Sequence, residues 1–252
     1  MSFWKSIFSK KPTFNEEPDR SLTVDFHSHL LAGIDDGCSD WGLTLHCLES
    51  LKEQGIQSVI TTPHILSGLY PNTPEIIHQK LSELKALPAF QAMQMQIHAA
   101  AEYYVDEWFM KELAKGTQFL TFGEKHILIE TNYVEKPPYL EDAIFNLILD
   151  GYKVVYAHPE RYHYLLKDFK LFERMHDTGV LFQLNLMSMT GHYGPQIKAA
   201  SDYLIQHNLV DVVGSDIHKP EHAHLIGKLK RSESYPKIAM AISATNSLVQ
   251  NE

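Results

Sequence analysis

The stretch VDFHSHLLAGIDDG, Val24 to Gly37, decides how the rest of the chain is read. It begins as a strand, and His27 and His29 stand one residue apart where that strand ends. A strand turns residues i and i+2 to the same side, so the two imidazoles can face one point in space. Two explanations compete. One is a metal site; the other is a surface turn whose histidines coincide. An isolated H-x-H does not separate them, and the remaining segments have to.

Composition narrows the field. The chain has 252 residues, 44% apolar and 21% charged, enough for one large domain with a good core. A net charge of −9 and the lack of a long basic run speak against a nucleic-acid partner. Cys38 and Cys47 make no disulfide framework, and the expectation is a cytoplasmic protein with reduced thiols. The 15 histidines are the compositional oddity and raise the prospect of metal chemistry. No apolar run approaches the roughly 18 residues of a membrane span. Lysines interrupt the N-terminal MSFWKSIFSKK, so it does not read as a signal peptide. As a helix it would place Phe3, Trp4, Ile7 and Phe8 on one face with Lys5, Lys10 and Lys11 at the edges. That pattern suits a weak peripheral contact of residues 1–11 with the inner face of the membrane, or a tail packed on the domain. Residues 1–20 are read as tail and linker, and 21–252 as the domain.

Strand and helix patterns alternate along that domain. SLTVDF, QSVITTP, MQIHAAAEYY, HILIET, YKVVYAHP, VLFQLNL and VDVVGSD read as strands. Helices are expected over WGLTLHCLESLKEQG closed by Gly55, over 74–86 started at Thr73-Pro74, and over 106–115. Further helices are expected over YLEDAIFNLILDG stopped by Gly151, over 168–178, over GPQIKAASDYLIQHN, and toward the C-terminus. Seven strands alternating with helices predict parallel βα units. Nearly every strand ends in a chemically useful side chain, as at the C-terminal mouth of an α/β barrel. The expected fold is therefore a closed barrel with its site at that mouth.

The candidate ligands are His27, His29, Asp36, His64, Glu102, Glu130, His158, Asp216 and His218. Imidazoles and carboxylates without a thiolate favour a catalytic site for borderline or hard divalent ions over a structural zinc knot. The set is too large for one ion and suits two or three with bridging carboxylates. Four carboxylates against three divalent ions leave a positive site, which would attract a phosphate dianion.

The motifs DFHSHLLAGIDDG, TTPHILSGLYPNT, AAEYY, LIET, AHPERY, QLNLMSMTGHYG and GSDIH occur in the order found in the PHP superfamily, named for polymerase and histidinol phosphatase. Over about residues 22–245 the chain most resembles its branch of manganese-dependent protein-tyrosine phosphatases from capsule and exopolysaccharide operons. The resemblance implies a distorted (β/α)7 TIM-like barrel with a trinuclear metal site. It implies a first metal on His27, His29, Glu102 and Asp216, and a second on Glu102, Glu130 and His158. A third would take Asp36, His64 and His218. Manganese is expected, with zinc or iron(II) as alternatives. Asp35 is left as a support or turn residue. Ala32 stands where the family usually has proline, which removes no ligand. Arg161, three residues after His158, is expected to grip phosphate oxygens with two parallel hydrogen bonds; pairing with Glu160 is the structural alternative. The implied reaction is attack on phosphorus by a metal-bound hydroxide. The implied partner is a phosphotyrosine protein, the tail of a membrane tyrosine kinase that controls polysaccharide export.

Other residues carry weaker expectations. Tyr70 and Asn72 either line a substrate groove or pack a loop, and Asn185 and Ser188 support the site. Cys38 cannot belong to a Cys-x5-Arg phosphatase loop because Thr44 stands at the arginine position. The other ten histidines read as surface or packing residues. Three further functions compete. A histidinol-phosphate or other small-molecule phosphomonoesterase is the sister reading. A nuclease is disfavoured by the acidic chain, and a metal-binding scaffold by a complete ligand set with a free Arg161.

Overall fold

In a computed structural model of the protein, residues 21–249 are described. Residues 1–20, with the basic amphipathic pattern and the linker, and residues 250–252 lie outside them. Among the described residues no helix is long and apolar enough to cross a membrane.

The elements follow the alternation read from the sequence, with strand pieces shorter than expected. The strands are β1 Val24–Asp25, β2 Ser58–Thr61, β3 His64–Ile65, β4 Gln96–Ala99, β5 Glu102–Tyr104, β6 His126–Glu130, β7 Lys153–Ala157, β8 Leu181–Asn185 and β9 Val212–Gly214. The helices are α1 Trp41–Glu53, α2 Pro74–Ala86, α3 Pro88–Met93, α4 Glu107–Ala114, α5 Leu140–Leu149, α6 His163–Leu166, α7 Lys170–His176, α8 Pro195–Gln206, α9 Pro220–Lys230 and α10 Ala239–Ser247. Three helices begin on caps visible in the sequence: the side chains of Asp40, Thr73 and Asp106 accept from the backbone N–H of Leu43, Ile76 and Phe109. Gly55 and Gly151 take positive φ just past α1 and α5, which glycine tolerates best. The short helices α3 and α6 were not anticipated, and α7 is shorter than the expected 168–178.

All strand pairs are parallel, in two sheets ordered β1-β2-β4 and β3-β5-β6-β7-β8-β9. One of the seven expected strands, residues 95–104, is split by a short break, and the strand expected to stop at Pro63 resumes beyond it, giving nine pieces. Thr62-Pro63 separates β2 from β3, and Ala100-Ala101 separates β4 from β5. The register does not slip across the break: Thr61 faces Ala99 and His64 faces Glu102. Ala100 N–H still donates to Thr61 O at 2.9 Å, and Glu102 N–H to Pro63 O at 3.1 Å. At the other end Ser28 and Ile217 form a parallel bridge between the first and last strand regions. There Asp216 N–H donates to His27 O at 2.7 Å and His29 N–H to Ile217 O at 3.0 Å.

Alternate strand residues enter two separate apolar clusters. Phe26, Ile60, Leu128, Val155, Ala157 and Val212 pack with Phe122 and Leu248 in a small inner cluster. Val59, Ile97, Ile127, Ile129, Val154, Phe182 and Val213 join the large one, which contains the helix residues Leu48, Leu84, Leu147, Phe172, Leu204 and Ile226. This is the period-2 alternation of strands apolar on both faces.

Candidate metal centre

Each of the nine residues leaves a strand end or the loop that follows it, and the structure brings all nine together. His27 and His29 follow β1, Asp36 lies in the next loop, and His64 and Glu102 open β3 and β5. Glu130 closes β6, His158 follows β7, and Asp216 and His218 follow β9. Their ligand atoms form overlapping groups, each with all atoms within 4.8 Å of one another. The groups are His29, Asp36, His64 and His218; His27, His29 and Asp216; His27, Glu102 and His158; and His64, Glu102 and Glu130. Glu102 belongs to two of them, as a bridging carboxylate must. Glu130 groups with His64 rather than with His158, a difference from the expected partition: its Oε1 lies 2.9 Å from His64 Nδ1.

Three of the five imidazoles are held by their other nitrogen. His27 Nδ1 lies 2.8 Å from Gln183 Oε1, which also accepts the His158 N–H at 3.2 Å. That backbone donor fixes which end of the amide faces the site, so His27 Nδ1 is the donor and Nε2 turns to Glu102 and Asp216 at 3.2 and 3.5 Å. His29 Nδ1 meets Asp35 Oδ2 at 2.8 Å. His218 Nδ1 donates to the Asp216 carbonyl at 2.9 Å. Such contacts fix ring orientation and raise the basicity of the inward nitrogen. Asp35 is thus the support for His29, and it also accepts the N–H groups of Gly37 and His64. Gly37 has no alternative here, since a Cβ would come within 2.1 Å of His29 O. At Gly214 a Cβ would meet that of His27 at 2.7 Å.

Arg161 is not free, and it does not pair with Glu160. Its Nη1 donates to Asp216 Oδ2 at 2.7 Å, and its guanidinium lies between the rings of Tyr133 and Tyr193, 4.9 and 4.4 Å from their centroids. Asn185 Nδ2 also donates to Asp216 Oδ2, at 2.9 Å, and Ser188 Oγ donates to the buried Glu160. Asn185 therefore supports the site directly, and Ser188 acts through Glu160. Asn72 packs a loop, donating to Ile34 O and His64 O, both at 2.8 Å. Tyr70 lines the pocket, stacked on His64. Cys38 and Cys47 are buried, 3.7 Å apart at sulfur, and join no ligand group. Sequence reading missed Gln183, Tyr133 and Tyr193. Gln183 had a signal, since it shares a strand face with Asn185 two residues on.

Burial opposes charge throughout, but opposite charges outweigh it at most positions. His27 is raised above the ordinary histidine range by Glu102 and Asp216 against that burial. His29 is raised by Asp35, and His64 by Glu130, both strongly. Glu102 and Asp216 are held well below the carboxylate range, in each case chiefly by His27. Asp36 is lowered by hydrogen bonds from His218 and His64. Glu130 is the exception among the carboxylates, raised by burial and by Glu102. Burial and Arg161 push His158 down to about 4, so it is neutral and able to act as a ligand.

A metal fits these donors. His29 Nε2, His64 Nδ1 and Glu102 Oε1 are buried without a hydrogen bond, and buried polar atoms of this kind need a partner. The donors are all imidazole nitrogen and carboxylate oxygen, and protons and cations compete for the same atoms. The pocket over them has a volume of about 260 Å³. A larger apolar cavity of about 870 Å³ beside α5 and α7 is lined by none of the nine residues.

The chain is 31% identical over 195 residues to the tyrosine-protein phosphatase YwqE of Bacillus subtilis (strain 168), covering 77% of each chain. It is 27% identical over 196 residues to the putative tyrosine-protein phosphatase CapC of Staphylococcus aureus, covering 77% of this chain and 76% of the relative. Among solved structures it is similar to one from a study of YwqE from Bacillus subtilis and CpsB from Streptococcus pneumoniae, described as unique metal-dependent tyrosine phosphatases. That match has a TM-score of 0.77 at 28% identity and covers 91% of this chain and 95% of the other. The family model for capsular polysaccharide synthesis proteins of the CpsB/CapC type matches residues 23–243, and the chain belongs to that family.

Proposed function

We propose that this chain is a metal-dependent phosphatase that hydrolyses phosphotyrosine in a protein substrate. The observation that carries this is the convergence of nine imidazole and carboxylate side chains, some of whose buried donor atoms lack a hydrogen bond, beside an arginine, in a chain similar to named tyrosine phosphatases. His27, His29, Glu102 and Asp216 would hold one divalent ion, Glu102, Glu130 and His158 a second, for which Glu130 would turn from His64 towards His158, and Asp36, His64 and His218 a third. Manganese is our first choice, with zinc or iron(II) next. We further read the two sheets as one distorted seven-stranded barrel. The unchanged register across the strand breaks and the bridge between the first and last strand regions support it.

Divalent ions in such a cluster polarise phosphoryl oxygens and acidify bound water. The chain's own residues do the rest. Arg161 would take phosphate oxygens; its ring contacts with Tyr133 and Tyr193 and its hydrogen bond to Asp216 support that reading. A phenolate leaving group, of pKa about 10, needs less protonation than an alkyl oxygen. The tail of a membrane tyrosine kinase that controls polysaccharide export is the substrate that best fits the family's capsule context. Residues 1–11 would bring the enzyme to the inner face of the membrane through a weak anionic-lipid contact.

The test is phosphate release from a phosphotyrosine peptide and from histidinol phosphate at equal enzyme concentration, before and after chelation. The expected result is preference for the peptide, loss of activity on chelation, and recovery with added divalent ion, manganese best. Preference for histidinol phosphate would favour the small-molecule reading, and full activity in protein shown to be metal-free would exclude a metal role.

A further inference from the structure

The pocket has two aromatic sides. Tyr133 belongs with Arg161 and His158, on which it stacks. Tyr70 stands on the His64 side, its ring nearly parallel to the imidazole at 13° and 5.6 Å between centroids. Leu66, Tyr70 and Tyr104 line the same pocket as the ligands, and all three are only partly buried. A phosphate held at the metal centre and by Arg161 would direct its ester group outward past these side chains.

The Tyr70 wall is held rigidly. Leu66 and Tyr70 close a tight hairpin, with Leu66 N–H donating to Tyr70 O at 3.0 Å and Tyr70 N–H to Leu66 O at 2.9 Å. Ser67 Oγ donates to Asp106 Oδ2 at 2.7 Å, tying the hairpin to the start of α4. Asn72 ties its base to Ile34 O and His64 O. The tip residue Leu69 is 64% exposed and extends apolar surface beyond the pocket. A wall ordered before the ligand arrives loses little freedom on binding.

We infer that the Leu66–Tyr70 hairpin, through the ring of Tyr70 and with Tyr104 lining the same pocket, selects aryl over alkyl phosphomonoesters by packing on the leaving group. The inference rests on the phosphatase reading and names the chemistry of its substrate. Tyr70 acts as a flat apolar surface, since offset or edge contacts between aromatic rings add to their burial. Its hydroxyl is not needed, so phenylalanine serves equally well. An alkyl phosphate presents no ring and gains nothing from this wall.

The test uses the full-length, metal-loaded protein and two ligands that cannot be hydrolysed, phenylphosphonate and methylphosphonate. Affinities are measured by calorimetry and metal content by elemental analysis. Wild type is expected to prefer the phenyl ligand. Tyr70→Ala is expected to lower that preference by about 3- to 10-fold, with metal content and methylphosphonate affinity unchanged, and Tyr70→Phe to keep it. The inference is overturned if Tyr70→Ala and the Tyr70→Ala/Tyr104→Ala double variant keep the wild-type preference. It is equally overturned if both ligands weaken together as metal is lost, which would make Tyr70 a prop for His64. A protein that prefers the phenyl ligand through Tyr70 but never releases phosphate from a phosphotyrosine peptide would refute the phosphatase reading and leave the aryl subsite standing.

Discussion

His158 and Asp216 both take left-handed backbone, at φ 35° and 52°, a conformation that costs a non-glycine residue about 1–2 kcal/mol. Neighbours hold each in place. Gln183 accepts the His158 N–H, and His27 O accepts that of Asp216. Strain retained at two adjoining candidate ligands is what a site with demanding geometry produces. For Asp35, expected as a support or turn residue, the fold supplies the partner. Of the two aspartates in DDG, Asp36 faces His64 and His218, while Asp35 braces His29. We expect Asp35→Asn to lower metal affinity by about 10- to 100-fold with little change in fold, read by metal titration; unchanged affinity would remove its bracing role. His158→Ala is expected to lose metal and nearly all turnover. Arg161→Ala is expected to lose turnover by about 100-fold or more and keep its metal. Elemental analysis of the two variants separates these roles, and equal metal loss in both would mean that Arg161 serves mainly to hold Asp216.

At the scale of elements, the strand breaks matter most. In QSVITTPHI nothing shows that pairing resumes after the interruption, and Pro63 reads simply as a stop. In the fold the chain resumes pairing at once, because Pro63 keeps its carbonyl and accepts from Glu102 N–H. That places His64 directly opposite Glu102 in the register. Helix α7 is tied to the sheet by His176, near its C-terminal end, whose Nε2 lies 2.9 Å from Asp211 Oδ2. The same oxygen accepts the Phe182 N–H at 2.7 Å. The hydrogen bond to Asp211 raises His176 above the ordinary range against partial burial. A raised histidine stabilises the fold fully below its unfolded pKa of about 6.5 and loses that contribution as pH rises through the folded value. The pair is partly exposed, so its worth is at most about 1 kcal/mol. Urea unfolding should therefore show His176→Gln less stable than wild type at pH 5.5 and nearly equal to it at pH 8.5. A gap that is the same at both pH values would argue against a charged pair.

At the scale of the whole molecule, a chain of net charge −9 is expected to draw a phosphate dianion into one pocket. The remedy we propose is local, in the bound cations and Arg161. The N-terminal segment is a second local departure, since residues 1–11 hold three lysines and no acidic residue. Each basic residue near an anionic surface contributes about 1 kcal/mol. Deleting residues 1–15 should leave peptide turnover and melting temperature intact and reduce binding to anionic vesicles. Raised salt should weaken vesicle binding of the full-length protein likewise. A melting temperature lowered by many degrees with vesicle binding unchanged would instead make the segment a cap on the domain.

Alternation of strand and helix, the parallel arrangement and the set of side chains that converge were all legible in the chain. The reason is that periodicity is local, and that six of seven separate strands ending in histidine or carboxylate are hard to produce by chance. What lay beyond the sequence was how those side chains share the centre. Grouping Glu130 with His64, pairing Arg161 with Asp216 rather than Glu160, and giving Gln183 to His27 and His158 all depend on contacts between residues distant in the chain. The same holds for Tyr70 and Asn72, neighbours in one short motif, of which one lines the pocket and the other fastens the loop. Their roles are set by which way each side chain faces once strands and loops have packed, and no spacing along the sequence records that direction.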